Sequence, residues 1–208
     1  MGASSSSELP WSNGTSLSAG REGEPMGEKE ERELQSLRDK LFPPGDSKDF
    51  LKDKSPSLVY SDANGFRLYV GSIIHANNVP TLQEIGITRI VNMAATDSVA
   101  TSSSKSQDFE TLLIGASDLK SYDLSQHFDE VTDFIDKGKE EGAGVFVHCM
   151  AGVSRSVTVS VAFLMKYCGM SLSDAARQVR SHRLQAYPNV RFIKSLLQLE
   201  KQLKQKKK

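Results

Sequence analysis

The sequence contains little cysteine, with only Cys149 and Cys168 among its 208 residues. Two cysteines cannot form a disulfide framework, so a reducing cytosolic compartment is the expected setting. His148 stands beside Cys149, but no second Cys/His pair follows at the spacing of a zinc site. We therefore predict no metal and no other cofactor.

Excess charge and long apolar runs are also missing. The 26 Lys and Arg residues balance 26 Asp and Glu residues, so the net charge does not indicate a nucleic-acid partner. No apolar run is long enough to cross a bilayer, and the first residues have no signal-peptide pattern. We expect a cytoplasmic protein, with the nucleus as an open alternative.

Composition divides the chain into three parts. Residues 1–56 form an extension that we expect to be largely disordered, because its beginning is rich in Ser, Gly and Glu. Within it, residues 28–42 place leucines at helical spacing. This predicts a short helix that packs on the domain surface or is of marginal order, rather than a docking motif. A globular domain is expected over 57–203, followed by a basic tail over 204–208.

Strand and helix patterns alternate through the globular part. Strands are predicted over 66–71 with a continuation at 72–74, and over 88–93, 109–114 and 144–147. Helices are predicted over 81–85, 124–142, 156–167, 172–179 and 190–203. The continuous apolar run at 144–147 is typical of a central parallel strand that is covered on both faces. We predict an α/β fold in which helices flank a mainly parallel central sheet.

The segment from Val147 to Ser156 joins the last predicted strand to a helix that is apolar nearly all round. A loop of small residues in this position turns backbone N–H groups inward, and the helix N-terminus adds a partial positive charge, so together they can bind phosphate. Gly152 allows a tight turn or a close approach of the ligand. The residues assigned to this phosphate-binding loop are Met150, Ala151, Gly152, Val153, Ser154 and Arg155.

Three side chains around this loop can act on a bound phosphate. The field of the loop stabilises a thiolate, which makes Cys149 the candidate nucleophile. Arg155 can donate two N–H bonds to phosphate oxygens, and Ser156 can donate to the sulfur as it departs. A buried structural role is the common alternative for a free cysteine, but the spacing of Gly152 and Arg155 disfavours that role for Cys149.

Cys168 receives the opposite interpretation, that of a core residue. It lies twelve positions after Ser156, which corresponds to about 18 Å along a helix. A disulfide requires Cα atoms within about 7 Å of each other. No bond between Cys168 and Cys149 is therefore expected.

The loop resembles the signature of the cysteine-based phosphatase superfamily, which is His-Cys, five residues, Arg, and then Ser or Thr. Its Ala151-Gly152 and Ser154-Arg155-Ser156 resemble the dual-specificity protein phosphatases in particular. The resemblance covers roughly residues 57–203, with Tyr69-Val70-Gly71-Ser72 and Tyr187-Pro188-Asn189 as supporting matches. It implies a cysteine-phosphatase fold of the dual-specificity type. It also implies phosphorylated proteins as partners, with protein kinases as candidates.

A general acid is implied by the same resemblance, a few residues after the strand predicted at 109–114. Breaking the phosphorus–oxygen bond leaves an oxyanion that needs a proton. Asp118 is assigned as this acid, with an ordinary loop carboxylate as the alternative, and Asp123 as a cap or loop-ordering residue. Asp97 and Asp108 are weaker candidates for the acid.

Two further polar residues receive supporting roles. His148 stands behind the nucleophile, where a ring N–H can fix the loop and help to hold the thiolate, and this role is preferred over that of a base. Asn92, at the end of its strand, is expected to hydrogen-bond the loop from below.

The implied reaction is a two-step hydrolysis through a phosphocysteine. The short domain implies a shallow pocket that accepts phosphotyrosine, phosphoserine and phosphothreonine, and the absence of a docking domain resembles the small atypical members of the family. One alternative is a phosphoinositide or other non-protein phosphatase, which the lack of lysine in the loop disfavours. Another is a phosphoprotein-binding pseudophosphatase, disfavoured because Cys149, Arg155 and Asp118 are all present.

A lipidation pattern stands at the first residues. Gly2 followed by Ser6 fits N-myristoylation, with a chance match in a Ser-rich terminus as the alternative. A single myristoyl chain gives only marginal membrane binding, so a second signal is needed. The positive charge that could supply it is C-terminal, at Lys201, Lys204, Lys206, Lys207 and Lys208. We expect at most a weak, salt-sensitive membrane association.

Overall fold

The structure is a computed structural model that describes residues 21–43, 55–96 and 109–206. The strands are β1 (Ser57–Ser61), β2 (Arg67–Ser72), β3 (Ile87–Asn92), β4 (Glu110–Leu113) and β5 (Gly144–Cys149). The helices are α1 (Glu28–Leu41), α2 (Ile73–Ala76), α3 (Val79–Glu84), α4 (Phe128–Glu140), α5 (Arg155–Tyr167), α6 (Leu172–His182) and α7 (Val190–Lys206), with a 3-10 helix at Leu124–His127. Gly2, Asp97, Asp108, Lys207 and Lys208 lie outside the described residues.

Five strands of the described chain form one sheet in the order β1-β2-β5-β3-β4. Strand β5 pairs in parallel with β2 and β3, and β4 pairs in parallel with β3, while β1 is antiparallel at one edge. The predicted α/β fold with a mainly parallel sheet is confirmed. The register places Ser72 opposite Cys149 and Asn92 opposite His148. The loops that follow these three strands therefore meet at one edge of the sheet.

Strand β5 and helix α5 form the centre of the core, as predicted. All six residues of β5 are buried, and α5 is buried from Arg155 to Met165. This burial on nearly every side explains why the helix is apolar nearly all round. The hydroxyls that it buries are paired, as when Thr158 Oγ1 donates to the Ser154 carbonyl oxygen at 2.8 Å. The loop between β5 and α5 is thus held by rigid elements at both ends.

Two features of the sheet differ from the prediction. Strand β1 was not predicted, because only Val59 of its five residues is buried, which leaves no clear alternation. The predicted continuation of β2 through Ile74 is wrong. There the chain turns into α2, because Ser72 caps this helix and its backbone N–H donates to His75 Nδ1 at 3.1 Å.

Cys168 was predicted as a core residue, and it packs against the edge of the core, half-buried at the C-cap of α5. Helix α5 ends at Tyr167, and Gly169 turns the chain with a φ of +68°. The thiol therefore lies at the end of the helix beside Tyr60, and partial burial raises its pKa. Both cysteines of the chain are free.

Helix α1 packs against α7 and α6. Leu34 is buried within this contact, and Phe42 at the end of the helix is fully buried. An ion pair between Glu30 and Lys194, at 2.7 Å, joins α1 to α7. Of the two states predicted for this segment, the structure has the packed helix. No helix of the described ranges combines the length and the apolar character needed to cross a membrane.

Candidate active site

The loop between β5 and α5 turns tightly at Gly152. The φ of this residue is +67°, in the left-handed region that favours glycine. A Cβ at this position would stand 2.4 Å from the Gly71 carbonyl oxygen and 2.4 Å from a terminal nitrogen of Arg183. Glycine is therefore required both for the turn and for the close approach of β2.

The sulfur of Cys149 lies at the start of this loop, between two possible donors. The Gly152 N–H donates to Sγ at 3.2 Å, and the Ser156 hydroxyl lies 3.3 Å from Sγ. These two contacts fix the position of the sulfur at the start of the loop. Cys149 is only 1% exposed, yet it lines a cleft of about 500 Å³. The other loop residues that line this cleft are Met150, Ala151, Val153, Ser154 and Arg155.

Arg155 is buried at the start of α5 and is held by the carbonyl groups of two other loops. Its Nη1 donates to the Ala116 oxygen at 2.8 Å and to the Met93 oxygen at 3.4 Å. These carbonyls follow β4 and β3, which lie on one side of β5. The guanidinium is therefore fixed at the cleft, where its N–H groups can bind the oxygens of a phosphate.

Asp118 lines the same cleft and is oriented by two donors. Its Oδ1 accepts hydrogen bonds from the Ser154 hydroxyl at 2.8 Å and from Asn189 Nδ2 at 2.7 Å. Its Oδ2 lies 3.8 Å from Arg155 Nε, and 34% of the side chain is exposed. The carboxyl group is thus both oriented and accessible to a substrate that binds in the cleft.

Asp123 is engaged elsewhere, at the start of the 3-10 helix. Its Oδ1 accepts hydrogen bonds from the backbone N–H of Ser125 at 3.1 Å and from the hydroxyl of Ser125 at 2.7 Å. The Ser195 hydroxyl of α7 donates to the same oxygen at 3.3 Å. These bonds are those of a capping residue, and Asp123 is not among the residues that line the cleft.

Sequence reasoning missed the role of Arg183, which follows α6 directly. Its Nε donates to the Gly152 carbonyl oxygen, and Nη1 donates to the Val70 oxygen at 3.3 Å and to Ser57 Oγ at 3.1 Å. By binding the outward-facing carbonyl of Gly152, this buried arginine helps to keep the loop amides directed into the cleft. Nothing in the local pattern of α6 distinguishes this arginine from a solvated one.

Asn189 belongs to the supporting match Tyr187-Pro188-Asn189, but the sequence did not predict its role in the site. Its backbone N–H donates to the Ser154 hydroxyl at 3.0 Å, while its side chain donates to Asp118. The Ser154 hydroxyl in turn donates to Asp118, so the three residues form one hydrogen-bonded group. Arg38 and Tyr187 also line the cleft, and neither was predicted to do so.

The two supporting residues, His148 and Asn92, lie opposite each other where β5 and β3 end. The ring of His148 is fully buried and stacks on Phe146, with 5.3 Å between the ring centroids. The ring contacts the backbone of Cys149, at the start of the loop, but neither ring nitrogen makes a hydrogen bond of good geometry to a described residue. Asn92 Oδ1 accepts from the Ala94 N–H at 2.9 Å, which orders the turn that presents Met93 to Arg155.

No three His, Cys, Asp or Glu side chains of the described ranges are grouped as a metal site would require. Among the residues that line the cleft, the positive charge is carried by the guanidinium groups of Arg38 and Arg155, and the loop adds backbone amides. These are the groups that bind a phosphate dianion in proteins without a metal.

Comparison with known proteins agrees with this geometry. Residues 68–202 match the family described as dual specificity phosphatase, catalytic domain. The chain is 44% identical over 136 residues to dual specificity protein phosphatase 1B of Arabidopsis thaliana, covering 65% of this chain and 79% of that protein. It is 40% identical over 137 residues to human dual specificity protein phosphatase 9, covering 66% of this chain but only 35% of that protein.

The crystal structure of human DUSP28 superposes on the chain with a TM-score of 0.63 and 26% identity. The superposition covers 72% of this chain and 95% of that one.

The neutral state of His148 predicts a dependence of stability on pH. Burial, as the main cause, together with the nearby Arg155 and His75, lowers the pKa of His148 to about 4, although the Cys149 backbone opposes part of this effect. In the unfolded chain the imidazole binds a proton below roughly pH 6.5. The folded protein binds this proton only near pH 4. The stability that comes from keeping the imidazole neutral is therefore fully present above roughly pH 6.5, and it is lost as the pH falls from there towards about 4.

We expect the free energy of unfolding to fall by about 2 kcal/mol between roughly pH 7 and pH 5 through this residue alone. Urea unfolding at a series of pH values measures it. The decline should be weaker by that amount in His148→Gln, whereas His182→Gln, which removes an exposed histidine, should keep the wild-type decline. An unchanged decline in His148→Gln would contradict the assignment of a neutral, buried imidazole.

Proposed function

We propose that the chain, which belongs to the dual specificity phosphatase family, hydrolyses phosphoproteins through a phosphocysteine intermediate on Cys149. The chain is a protein phosphatase, a hydrolase that acts on phosphotyrosine and on phosphoserine or phosphothreonine. The observation that carries the mechanism is that Cys149, Arg155 and Asp118 line one cleft. Its substrates are phosphorylated proteins, among which we propose protein kinases as candidates.

In the first step, the thiolate of Cys149 attacks phosphorus and the bond from phosphorus to the leaving oxygen breaks. The loop amides and Arg155 bind the non-transferring oxygens and neutralise their charge. Asp118 gives its proton to the leaving oxygen. Ser154 and Asn189 both donate to Oδ1, which leaves Oδ2 as the oxygen that serves in the proton transfer.

In the second step, water attacks the phosphorus of the phosphocysteine. Asp118, now a carboxylate, accepts a proton from this water. The phosphorus–sulfur bond breaks, and the sulfur leaves as a thiolate. The Ser156 hydroxyl, 3.3 Å from Sγ, can donate to the departing sulfur, as can the Gly152 N–H. Inorganic phosphate is released, and the enzyme returns to its starting state.

The rival functions are not favoured. Loop positions Met150, Ala151 and Val153 face the cleft without adding positive charge, which a highly charged inositol headgroup would need. A binding-only pseudophosphatase is disfavoured because the nucleophile, the arginine and the acid are all present in the cleft. A phosphorylated side chain of a protein presents a single phosphate to the loop, and the loop can bind it without further positive charge. Phosphoproteins therefore fit the loop best.

Substitution of the nucleophile tests the proposed intermediate. Cys149→Ser should reduce turnover of phosphotyrosine and phosphothreonine peptides by at least about 10³-fold, because an alcohol is a far weaker nucleophile than a thiolate. Peptide binding should persist, since the loop amides and Arg155 are retained, and fluorescence anisotropy can measure it. Cys168→Ser is the matched control and should keep wild-type turnover. Residual turnover of Cys149→Ser near the wild-type rate would refute the intermediate.

A second prediction separates the two aspartates. Asp118→Asn should reduce kcat for phosphopeptides by about 10²–10⁴-fold, because the peptide leaving group needs a proton. The loss should be much smaller for p-nitrophenyl phosphate, whose leaving group is a weak base. Asp123→Asn, which alters a cap rather than the cleft, should affect both substrates alike. If the substrate-selective loss appears in Asp123→Asn instead, the acid is misassigned.

We also propose a cytoplasmic location with weak peripheral binding to membranes. The support is the myristoylation pattern at Gly2, outside the described residues, and the lysines at the end of α7. The acyl chain alone binds membranes marginally, and a basic cluster adds a salt-sensitive contribution. Neither contribution alone is expected to hold the protein at a membrane.

Fractionation of cells tests this location. The membrane fraction of wild type should exceed that of Gly2→Ala and that of a variant with Lys204, Lys206, Lys207 and Lys208 changed to Gln. It should also decrease in high salt. Equal membrane fractions in all three proteins, or an unmodified N-terminus by intact mass, would leave a purely cytosolic enzyme.

A further inference from the structure

Helix α1 contributes a side chain to the catalytic cleft although it lies outside the segment that matches the family, 68–202. Its residue Arg38 lines the cleft together with the loop residues that follow Cys149. The helix is held in place by buried Leu34 and Phe42. Glutamates of α1 form ion pairs with Lys194 of α7 and with Lys120 of the acid loop, the loop that carries Asp118. These ion pairs fix the helix further. Helix α1 is therefore part of the folded domain, and Arg38 has a fixed position at the cleft.

The guanidinium of Arg38 lies over the ring of Tyr187. Its Cζ lies 4.0 Å from the centroid of the Tyr187 ring, a distance at which a cation is attracted to the ring face. Arg38 Nε lies 3.3 Å from Asp39 Oδ1, and the Tyr187 hydroxyl donates to the same oxygen at 2.7 Å. This arrangement uses the face and the Nε edge of the guanidinium. Among the described residues, the two terminal nitrogens of Arg38 have no hydrogen-bond acceptor.

The charges that line the cleft divide into two groups. Arg155 and Asp118 lie together, 3.8 Å apart, and both take part in the chemistry at the reacting phosphate. Arg38 is the other charged residue that lines the cleft in the described part of the chain. Its counter-ion Asp39 is 41% exposed and binds only at Nε, so it compensates the positive charge incompletely. The cleft thus has a cation that the reaction does not use.

We propose that Arg38 forms a second anion subsite, which selects phosphoproteins with an anionic residue close to the phosphoresidue that reacts. This inference rests on the proposed function, because it assigns a substrate preference to the same cleft. The anion is a carboxylate or a second phosphate, and the planar fork of an arginine fits either group. A second phosphate should be preferred over a carboxylate, because it carries up to about two negative charges.

Matched peptides measure the preference. Each contains one phosphotyrosine, and a flanking position holds Gln, Glu or phosphoserine. Tyrosine fluorescence follows the loss of the phosphotyrosine alone. The measured quantity is the ratio of kcat/KM for an anionic peptide to kcat/KM for the Gln peptide, with the flanking position moved along the peptide to find the largest ratio. We expect this ratio to exceed one in the wild type.

Two variants of Arg38 separate its charge from its packing. Arg38→Gln should lower the ratio about fivefold, the effect of losing one partly exposed ion pair. Arg38→Lys keeps the charge and should keep most of the ratio, although it loses the planar fork. The change should reside in KM, since Arg38 does not touch the reacting atoms. Lys40→Gln removes an equal charge from an exposed position of the same helix and should leave the ratio unchanged.

Asp39→Asn gives an expectation of the opposite sign. The amide oxygen can still accept from Tyr187 and from Arg38, but the opposing negative charge is gone. The ratio should therefore rise above the wild-type value. Thermal unfolding of every variant verifies folding, and Asp39→Asn and Arg38→Lys keep the test decisive if Arg38→Gln does not fold.

The outcomes distinguish the subsite from the proposed function. A wild-type ratio of one at every flanking position would overturn the subsite. If Arg38→Gln lowers kcat/KM by the same factor for the Gln, Glu and phosphoserine peptides, the subsite is also overturned. Arg38 then serves only to support Tyr187. The same shift in Lys40→Gln would replace the subsite by the general charge of α1. If wild type does not hydrolyse even the Gln peptide, the proposed function fails, and the subsite fails with it.

Discussion

The close contact between the backbones of Gly152 and Gly71 is the constraint on which the rest of the site depends. A side chain at Gly152 would meet the Gly71 carbonyl oxygen at 2.4 Å, and a side chain at Gly71 would meet the ring of His75 at 2.5 Å. Because both positions lack a Cβ, β2 can approach the loop that follows β5. Arg183 then binds carbonyl groups of both segments, Gly152 and Val70. The loop amides are left to face the sulfur and the anion.

The acid loop, which carries Asp118, is supported from two sides. On one side, Asp118 is bound by Ser154 and Asn189. On the other, the segment before α1 pairs with the same loop, as the Gly23 N–H donates to the Ser121 oxygen at 2.6 Å. A catalytic group works best when its neighbours fix its position before the substrate arrives. The aspartate stands on a loop, yet contacts distant in sequence hold that loop in place.

The part of the site that could be predicted is the part built from neighbours in sequence. Cys149, Gly152, Arg155 and Ser156 lie within one strand–loop–helix unit, so their spacing alone indicates an anion site. Arg183 and Asn189 bind the loop from more than thirty residues away in the chain, and no spacing rule connects them to it. Edge strand β1 was missed for a related reason: a strand with one buried residue is defined by its partner β2 rather than by its own pattern.

Chemistry and substrate preference reside on different parts of this chain. The reacting groups lie between β3 and the start of α5, inside the segment shared with the family, 68–202. The second cation of the cleft and part of the support of the acid loop come from residues 21–41, before the predicted start of the globular domain at 57. Helix α1, which packs on α7 and buries Leu34, can change the charge of the cleft wall and leave Cys149 and its loop untouched. One catalytic mechanism can then serve different phosphoproteins. Substrate selectivity depends on Arg38 in the cleft wall, and this residue takes no part in the reaction.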